Sequence, residues 1–241
     1  MAPCGRGRRI LTSETTKTLI LWDIDNTLLY TGGAGSMAMR RAFQDLYGVE
    51  DAFRRVEFSG RTDTAIFRDA ARASGIDEQK LEAEQERFLA AYIPHLESTL
   101  DEVKGALMPG IASALAHFAS STGARQGLGT GNFRRGGALK IERYGIAHYF
   151  PGTPGGFGED SELRAQVIGC AIERLANGTR PRVVVIGDTP HDITAARANG
   201  AYALGVATGK DSVETLRAAG ADAALKDLSD LEQVSKLVLG A

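Results

Sequence analysis

Three short polar clusters in this sequence carry side chains able to do chemistry: Asp23-Ile24-Asp25-Asn26-Thr27, Thr130-Gly131-Asn132 and Asp188-Thr189-Pro190-His191-Asp192. Their reactive groups are carboxylates and hydroxyls. His95, His117 and His148 are scattered without ligand spacing, and His191 reads as a solvated loop residue. If Asp23, Asp25, Asp188 and Asp192 met at one edge of a fold, they would repel one another strongly unless a cation sat among them. An oxygen-only donor set of this kind suits a hard ion such as Mg²⁺.

The elements around the clusters bring them to one edge. Thr18-Leu-Ile-Leu-Trp22 is a short apolar run ending at Asp23, and Arg182-Val-Val-Val-Ile-Gly187 is a β-branched run ending at Asp188. Between them, Ala124-Arg-Gln-Gly-Leu-Gly129 reads as a weaker strand ending at Thr130, and Ala201–Val206 as a fourth. Helical patterns at Pro109–Ser120, Phe133–Tyr144, Ser161–Ala176, Asp192–Asn199 and Ser212–Ala219 separate or follow them. Strand alternating with helix predicts an α/β fold with a doubly wound parallel sheet, whose functional groups collect at the carboxyl ends of the strands. Strand alternation turns Trp22 away from the Asp23 side chain and into the core.

One segment breaks the rhythm. Gly35 to Lys104 holds three helical patterns, Ser36–Tyr47, Thr62–Ala73 and Asp77–Leu100, and no convincing strand. This predicts an inserted all-helical domain over 33–105, with 1–32 and 106–241 forming the core. Gly32-Gly33 and Gly105 stand at the two connections as candidate hinges. The glycine-dense stretch Gly152–Gly158 reads as a flexible loop.

Composition narrows the classes. Hydrophobic residues make up 43% of 241, enough for a sizeable core, and the formal net charge of -2 argues against a sequence-independent nucleic-acid binder. No apolar run approaches the length that crosses a bilayer. Cys4 and Cys170 form no CxxC pair, which fits a reducing cytoplasm rather than a disulfide framework. The start, with Arg6, Arg8 and Arg9, reads as a loose extension.

The order DxDxT after the first strand, a hydroxyl residue after the second, and GDTPHD after a later one resembles the haloacid dehalogenase-like hydrolase superfamily. The likeness spans nearly the whole chain and implies a Rossmann-like core. The helical insertion occupies the place of a C1 cap, most similar to phosphoglycolate phosphatase-like proteins. The resemblance implies hydrolysis of a small phosphorylated metabolite through an aspartyl-phosphate. Asp23 would be the nucleophile, and Asp25 would protonate the leaving oxygen and then activate water. Mg²⁺ would bridge Asp23, the main-chain carbonyl of Asp25 and Asp188, while Asp192 would orient these ligands from behind and Thr27 would hold the loop in shape. Thr130 would donate to a phosphate oxygen beside the N–H groups of Gly131 and Asn132, just ahead of a helix N-terminus. Arg61, in Ser59-Gly-Arg-Thr-Asp63, is either a solvated charge before a helix capped by Thr62 or Asp63, or a grip on an anionic end of the substrate.

The sequence departs from the family in one place. A lysine usually precedes the GDxxxD strand, but the only lysine between Thr130 and Asp188 is Lys140, inside the helix after Thr130 and too early in the fold. Arg164 is the expected replacement, which leaves Lys140 outside the chemistry. Other chemistries stay open: phosphonate cleavage, sugar-phosphate mutation, dehalogenation (disfavoured by the second acid, Asp25), or a receiver-like module that accepts phosphate without turnover.

Overall fold

The computed structural model describes residues 17–240, so Cys4 and the arginine-bearing start lie outside the described residues. In chain order the elements are β1 (Thr18–Trp22), β2 (Leu29–Tyr30), α1 (Ala34–Tyr47), α2 (Asp63–Ala73), α3 (Leu81–Glu102), β3 (Ala106–Leu107), α4 (Ile111–Ser120), β4 (Ala124–Gly129) and α5 (Arg134–Arg143). They continue with β5 (Gly155–Gly156), α6 (Arg164–Ala176), β6 (Arg182–Gly187), α7 (Pro190–Ala198), β7 (Tyr202–Val206), α8 (Val213–Ala218), β8 (Ala223–Leu225) and α9 (Leu231–Leu239). Six strands form one parallel sheet in the order β5-β4-β1-β6-β7-β8. The chain therefore starts at the middle of the sheet, builds outward on one side, then crosses back and builds outward on the other.

Both faces of the sheet are covered, and the alternation of side chains explains how. Ile20, Trp22, Val184, Ile186, Leu204 and Val206 point to one face and pack against α4 and α9. Leu19, Leu21, Val185 and Ala203 point to the other and pack against α6, α7 and α8. Burying each aliphatic side chain of this kind contributes roughly 1.5–3 kcal/mol. Trp22 is fully buried as expected, and its Nε1 donates to Gln126 Oε1 at 3.0 Å.

Strand β4 is weak in pattern for a packing reason. A Cβ on Gly127 would lie 2.3 Å from Leu175, and one on Gly129 would lie 2.6 Å from Ile168. The missing side chains let α6 approach the sheet closely. The stretch expected as a flexible loop, Gly152–Gly158, contributes β5, which pairs Gly155 with Leu128 and Gly156 with Gly129. Two glycines present no alternation to read, so this edge strand is invisible to periodicity. The short β8 and the helix α9 lie outside the elements that the sequence pattern predicts.

Helices α1 to α3 enclose an apolar cluster of their own, built on Phe43, Phe53, Phe67, Phe88 and Tyr92. The chain enters and leaves this segment through an antiparallel pair, β2 with β3. One member of the cluster comes from elsewhere: Phe133, which precedes α5, is fully buried with its ring 6.0 Å from that of Tyr92. Among the described residues no helix is long and apolar enough to cross a membrane.

Candidate active site

The register of the sheet brings the sequence clusters together. Trp22 pairs with Leu128 on one side and with Ile186 on the other, so Asp23, Thr130 and Asp188 all emerge at the carboxyl edge of three adjacent strands. That edge is where the strand order reverses, the usual place for a ligand in an open parallel sheet. It forms the floor of a cavity of about 360 Å³, roofed by residues of the helical segment.

Asp23 and Asp192 share a counterion. Arg164, at the start of α6, places Nη2 2.5 Å from Asp23 Oδ1, 2.6 Å from Asp192 Oδ1 and 3.1 Å from the Gly129 carbonyl. Arg164 also lines the cavity, beside Gly131. Burial works against its charge, but the two carboxylates outweigh burial and raise its pKa. Asp192 has a second task. Its Oδ2 accepts from the N–H and hydroxyl of Thr189, and with Thr189 it forms the capping box that starts α7. It stands behind the cavity wall, wholly buried.

Asp188 accepts a hydrogen bond from Thr27 Oγ1 at 3.2 Å. Burial first, then the charges of Asp192 and Asp23, push the Asp188 carboxyl well above the usual carboxylate range. Burial also raises Asp23, although Arg164 pulls it down. Carboxylate oxygens of Asp23, Asp188 and Asp192 lie within 4.8 Å of one another. With Asp192 committed to Arg164 and Thr189, the oxygens of Asp23 and Asp188 are the ones that fit a hard divalent cation. Such an ion would offset the burial and the mutual repulsion that raise both groups.

The second cluster divides its labour. Thr130 is fully buried and its Oγ1 accepts from the Asn132 N–H at 3.3 Å, while Gly131 and Asn132 line the cavity. Asn132 Nδ2 donates to Asp25 Oδ2 at 2.8 Å. Arg61 lines the cavity too, yet its Nη1 pairs with Asp69 Oδ2 at 2.7 Å, within the helical segment. Thr62, not Asp63, caps α2, its hydroxyl accepting from the Ala65 N–H at 3.2 Å.

Two residues in the site escaped the sequence reading. The sequence pattern leaves Lys140 outside the chemistry, yet its Nζ lies 2.6 Å from Asp25 Oδ2, with only 4% of its side chain exposed. Helix α5 lies alongside the site rather than leading away from it, so an early position in the chain is not a remote one in space. Phe133, Gly136 and Lys140 recur at helical spacing on one face, a signal that was available. The second is Asp63. Its N–H donates to the Gly131 carbonyl at 2.7 Å and its Oδ2 accepts from the Phe133 N–H at 2.7 Å, tying α2 to the loop that bears Asn132. Burial raises Asp63 to about 7 against the opposing charge of Lys140.

A family model described as a haloacid dehalogenase-like hydrolase matches residues 17–200. Among solved structures, a "predicted phosphatase" from Clostridium acetobutylicum shares 20% identity, with 93% of this chain and 99% of that one covered at a TM-score of 0.67. CbbY from Rhodobacter sphaeroides, solved in complex with phosphate, shares 19% over 88% of this chain and 95% of its own, at a TM-score of 0.66. A haloacid dehalogenase-like hydrolase from Streptococcus pneumoniae shares 19% over 92% and 98%, at 0.61. At these identities the likeness is one of fold. A comparison with curated proteins finds no match.

Proposed function

The chain belongs to the haloacid dehalogenase-like hydrolases, and from that premise we propose that it is a Mg²⁺-dependent phosphatase acting on a small phosphorylated metabolite through an aspartyl-phosphate. The observation that carries this reading is the pairing of Asp23 with Arg164 at the cavity floor, with a second acid, Asp25, on the same wall. Arg164 engages Oδ1 of Asp23, which leaves Oδ2 as the attacking atom. Its guanidinium also stands ready to balance the charge of an incoming phosphoryl group.

Asp23 would form the bond to phosphorus as the bond to the leaving oxygen breaks, and Asp25 would give that oxygen a proton. Water would then split the acyl phosphate, its proton passing to Asp25. A dehalogenase needs no second acid, so Asp25 favours phosphate. The N–H groups of Gly131 and Asn132, supported by buried Thr130, would meet phosphoryl oxygens at the head of α5. Mg²⁺ held by Asp23, Asp188 and the Asp25 carbonyl would neutralise charge between phosphate and carboxylates and stabilise it in the transition state. Residues 33–105 would act as a cap that excludes bulk water, with Arg61 on its inner face.

The test is hydrolysis of an aryl phosphate with Mg²⁺, beside a chelator control and Asp23→Asn. We expect turnover only with the metal and none in the variant, whose circular dichroism should match wild type. Undiminished activity in Asp23→Asn would remove the nucleophile assignment, and full activity in chelator would remove the metal.

A further inference from the structure

Asp25 is held from one side only. Lys140 Nζ at 2.6 Å and Asn132 Nδ2 at 2.8 Å both donate to its Oδ2, and a third of the Asp25 side chain remains exposed. Two donors on one oxygen set the carboxyl rotation and leave Oδ1 without a protein partner among the described residues. Lys140 itself is almost wholly buried, and burying an ammonium is costly unless acids compensate it. Here Asp25 does so at 2.6 Å. The space is prepared by small residues. A side chain on Gly35 would meet Lys140 Nζ at 3.3 Å, and one on Gly136 would meet Tyr92 at 3.2 Å.

We propose that Lys140 is a positioning residue for departure of the leaving group: with Asn132 it fixes one oxygen of Asp25 and so presents the other to the oxygen that leaves phosphorus. The inference rests on the phosphatase reading above and on Asp25 as its proton carrier. In the step concerned, the bond from Asp23 to phosphorus forms, the bond from phosphorus to the leaving oxygen breaks, and the proton on Asp25 Oδ1 goes to that oxygen. The attacking water later returns a proton to Asp25, so nothing is oxidised or reduced.

The experiment compares kcat/KM, which reports the transfer step, for three esters: a simple alkyl phosphate, a carboxylate-bearing alkyl phosphate and para-nitrophenyl phosphate. Wild type, Lys140→Met, Lys140→Arg, Asp25→Asn and the Asp25→Asn/Lys140→Met pair are measured. Misplacing a reacting group by about an ångström costs on the order of 10²-fold. Lys140→Met should lose about that on both alkyl esters. On the nitrophenyl ester, whose leaving group departs without a proton, it should lose less than about tenfold. Asp25→Asn should show the same contrast, the double variant should be no worse than Asp25→Asn, and Lys140→Arg should recover part of the loss.

Equal losses on all three esters would reduce Lys140 to a structural role and overturn the proposal. A loss confined to the carboxylate-bearing ester would make Lys140 a contact for substrate charge, which also overturns it. So would losses that multiply in the double variant. If Lys140→Met does not fold, the double variant, which leaves no unpaired carboxylate at position 25, still decides by its comparison with Asp25→Asn. An Asp25→Asn enzyme as active as wild type on alkyl esters would instead strike the acid assignment, and the Lys140 proposal with it.

Discussion

At the scale of single residues, the site lets one cation serve two acids and leaves Asp188 with only the Thr27 hydroxyl as a side-chain partner among the described residues. Arg164 is that cation, and its removal would leave Asp23 and Asp192 uncompensated in a buried setting. Losing a group that stabilises developing charge typically costs about 10²–10³ in kcat, and Arg164→Ala should fall on that scale. Truncation also strips a buried ion pair, which can cost about 3–5 kcal/mol of stability. Arg164→Lys is the fitting control: it keeps the charge but not the planar head that reaches two carboxylates and a carbonyl. Steady-state kinetics should rank wild type above Lys and Lys above Ala. An alanine variant as active as wild type would show that Arg164 does not act on the phosphoryl group. Lys140→Ala, which the sequence pattern expected to be silent, should not be silent now that its ammonium sits on Asp25.

At the scale of elements, α2 carries its docking group in its first turn. Asp63 bonds the Phe133 N–H, yet burial raises its carboxyl from the ordinary 3.8 to about 7. The folded protein therefore holds a proton that the unfolded chain releases. Stability from this group is fully present below about pH 4 and is lost as pH rises through about 7. Asp63→Asn keeps an oxygen for the Phe133 N–H and removes the titration. Measured by thermal unfolding at pH 5 and pH 8, the difference between variant and wild type should move in the variant's favour at the higher pH, by up to a few kcal/mol. A difference that does not change with pH would mean that Asp63 stays ionised in the folded protein. The connections to this helical segment differ from one another: Gly32 and Gly33 hold positive φ of 62° and 84°, as a turn requires, whereas Gly105 makes room for the Tyr30 carbonyl and the Tyr144 hydroxyl.

At the scale of the whole molecule, the helical segment and the sheet domain are joined above the site by ties of unequal worth. Lys210 with Glu57 at 3.0 Å is an exposed ion pair, which contributes little and weakens with salt. Phe133 is a different matter. It rises from the loop beside Asn132 and fills a place among the rings of Phe88 and Tyr92. Phe133→Ala would open a cavity at a cost of about 3–5 kcal/mol. Hydrogen exchange should quicken in α2 and α3 while β1 and β6 keep their protection, and KM should rise because the roof of the cavity loosens. Uniform loss of protection across both parts would show that they unfold as one unit.

Much of this protein was legible in its sequence because the relevant signals are local. An apolar run ending in Asp23 and another ending in Asp188 each specify a buried strand and the residue at its carboxyl end. Three helical patterns without a strand between them correspond to α1, α2 and α3. Arg164 was singled out through the family resemblance, as the replacement for a lysine, and its guanidinium meets Asp23 and Asp192. What local pattern cannot carry is which helix faces lie over which strands. The pairing of β5 has no side chains to betray it, and the approach of α6 to the sheet depends on side chains that Gly127 and Gly129 lack. The ammonium of Lys140 meets Asp25 only because α5 packs against both the sheet edge and α3. Asp63 becomes a docking group only when α2 closes over the loop at Gly131. Strand ends and helix starts are written in neighbouring residues, whereas the company a charge keeps is decided by burial and packing between segments distant in the chain.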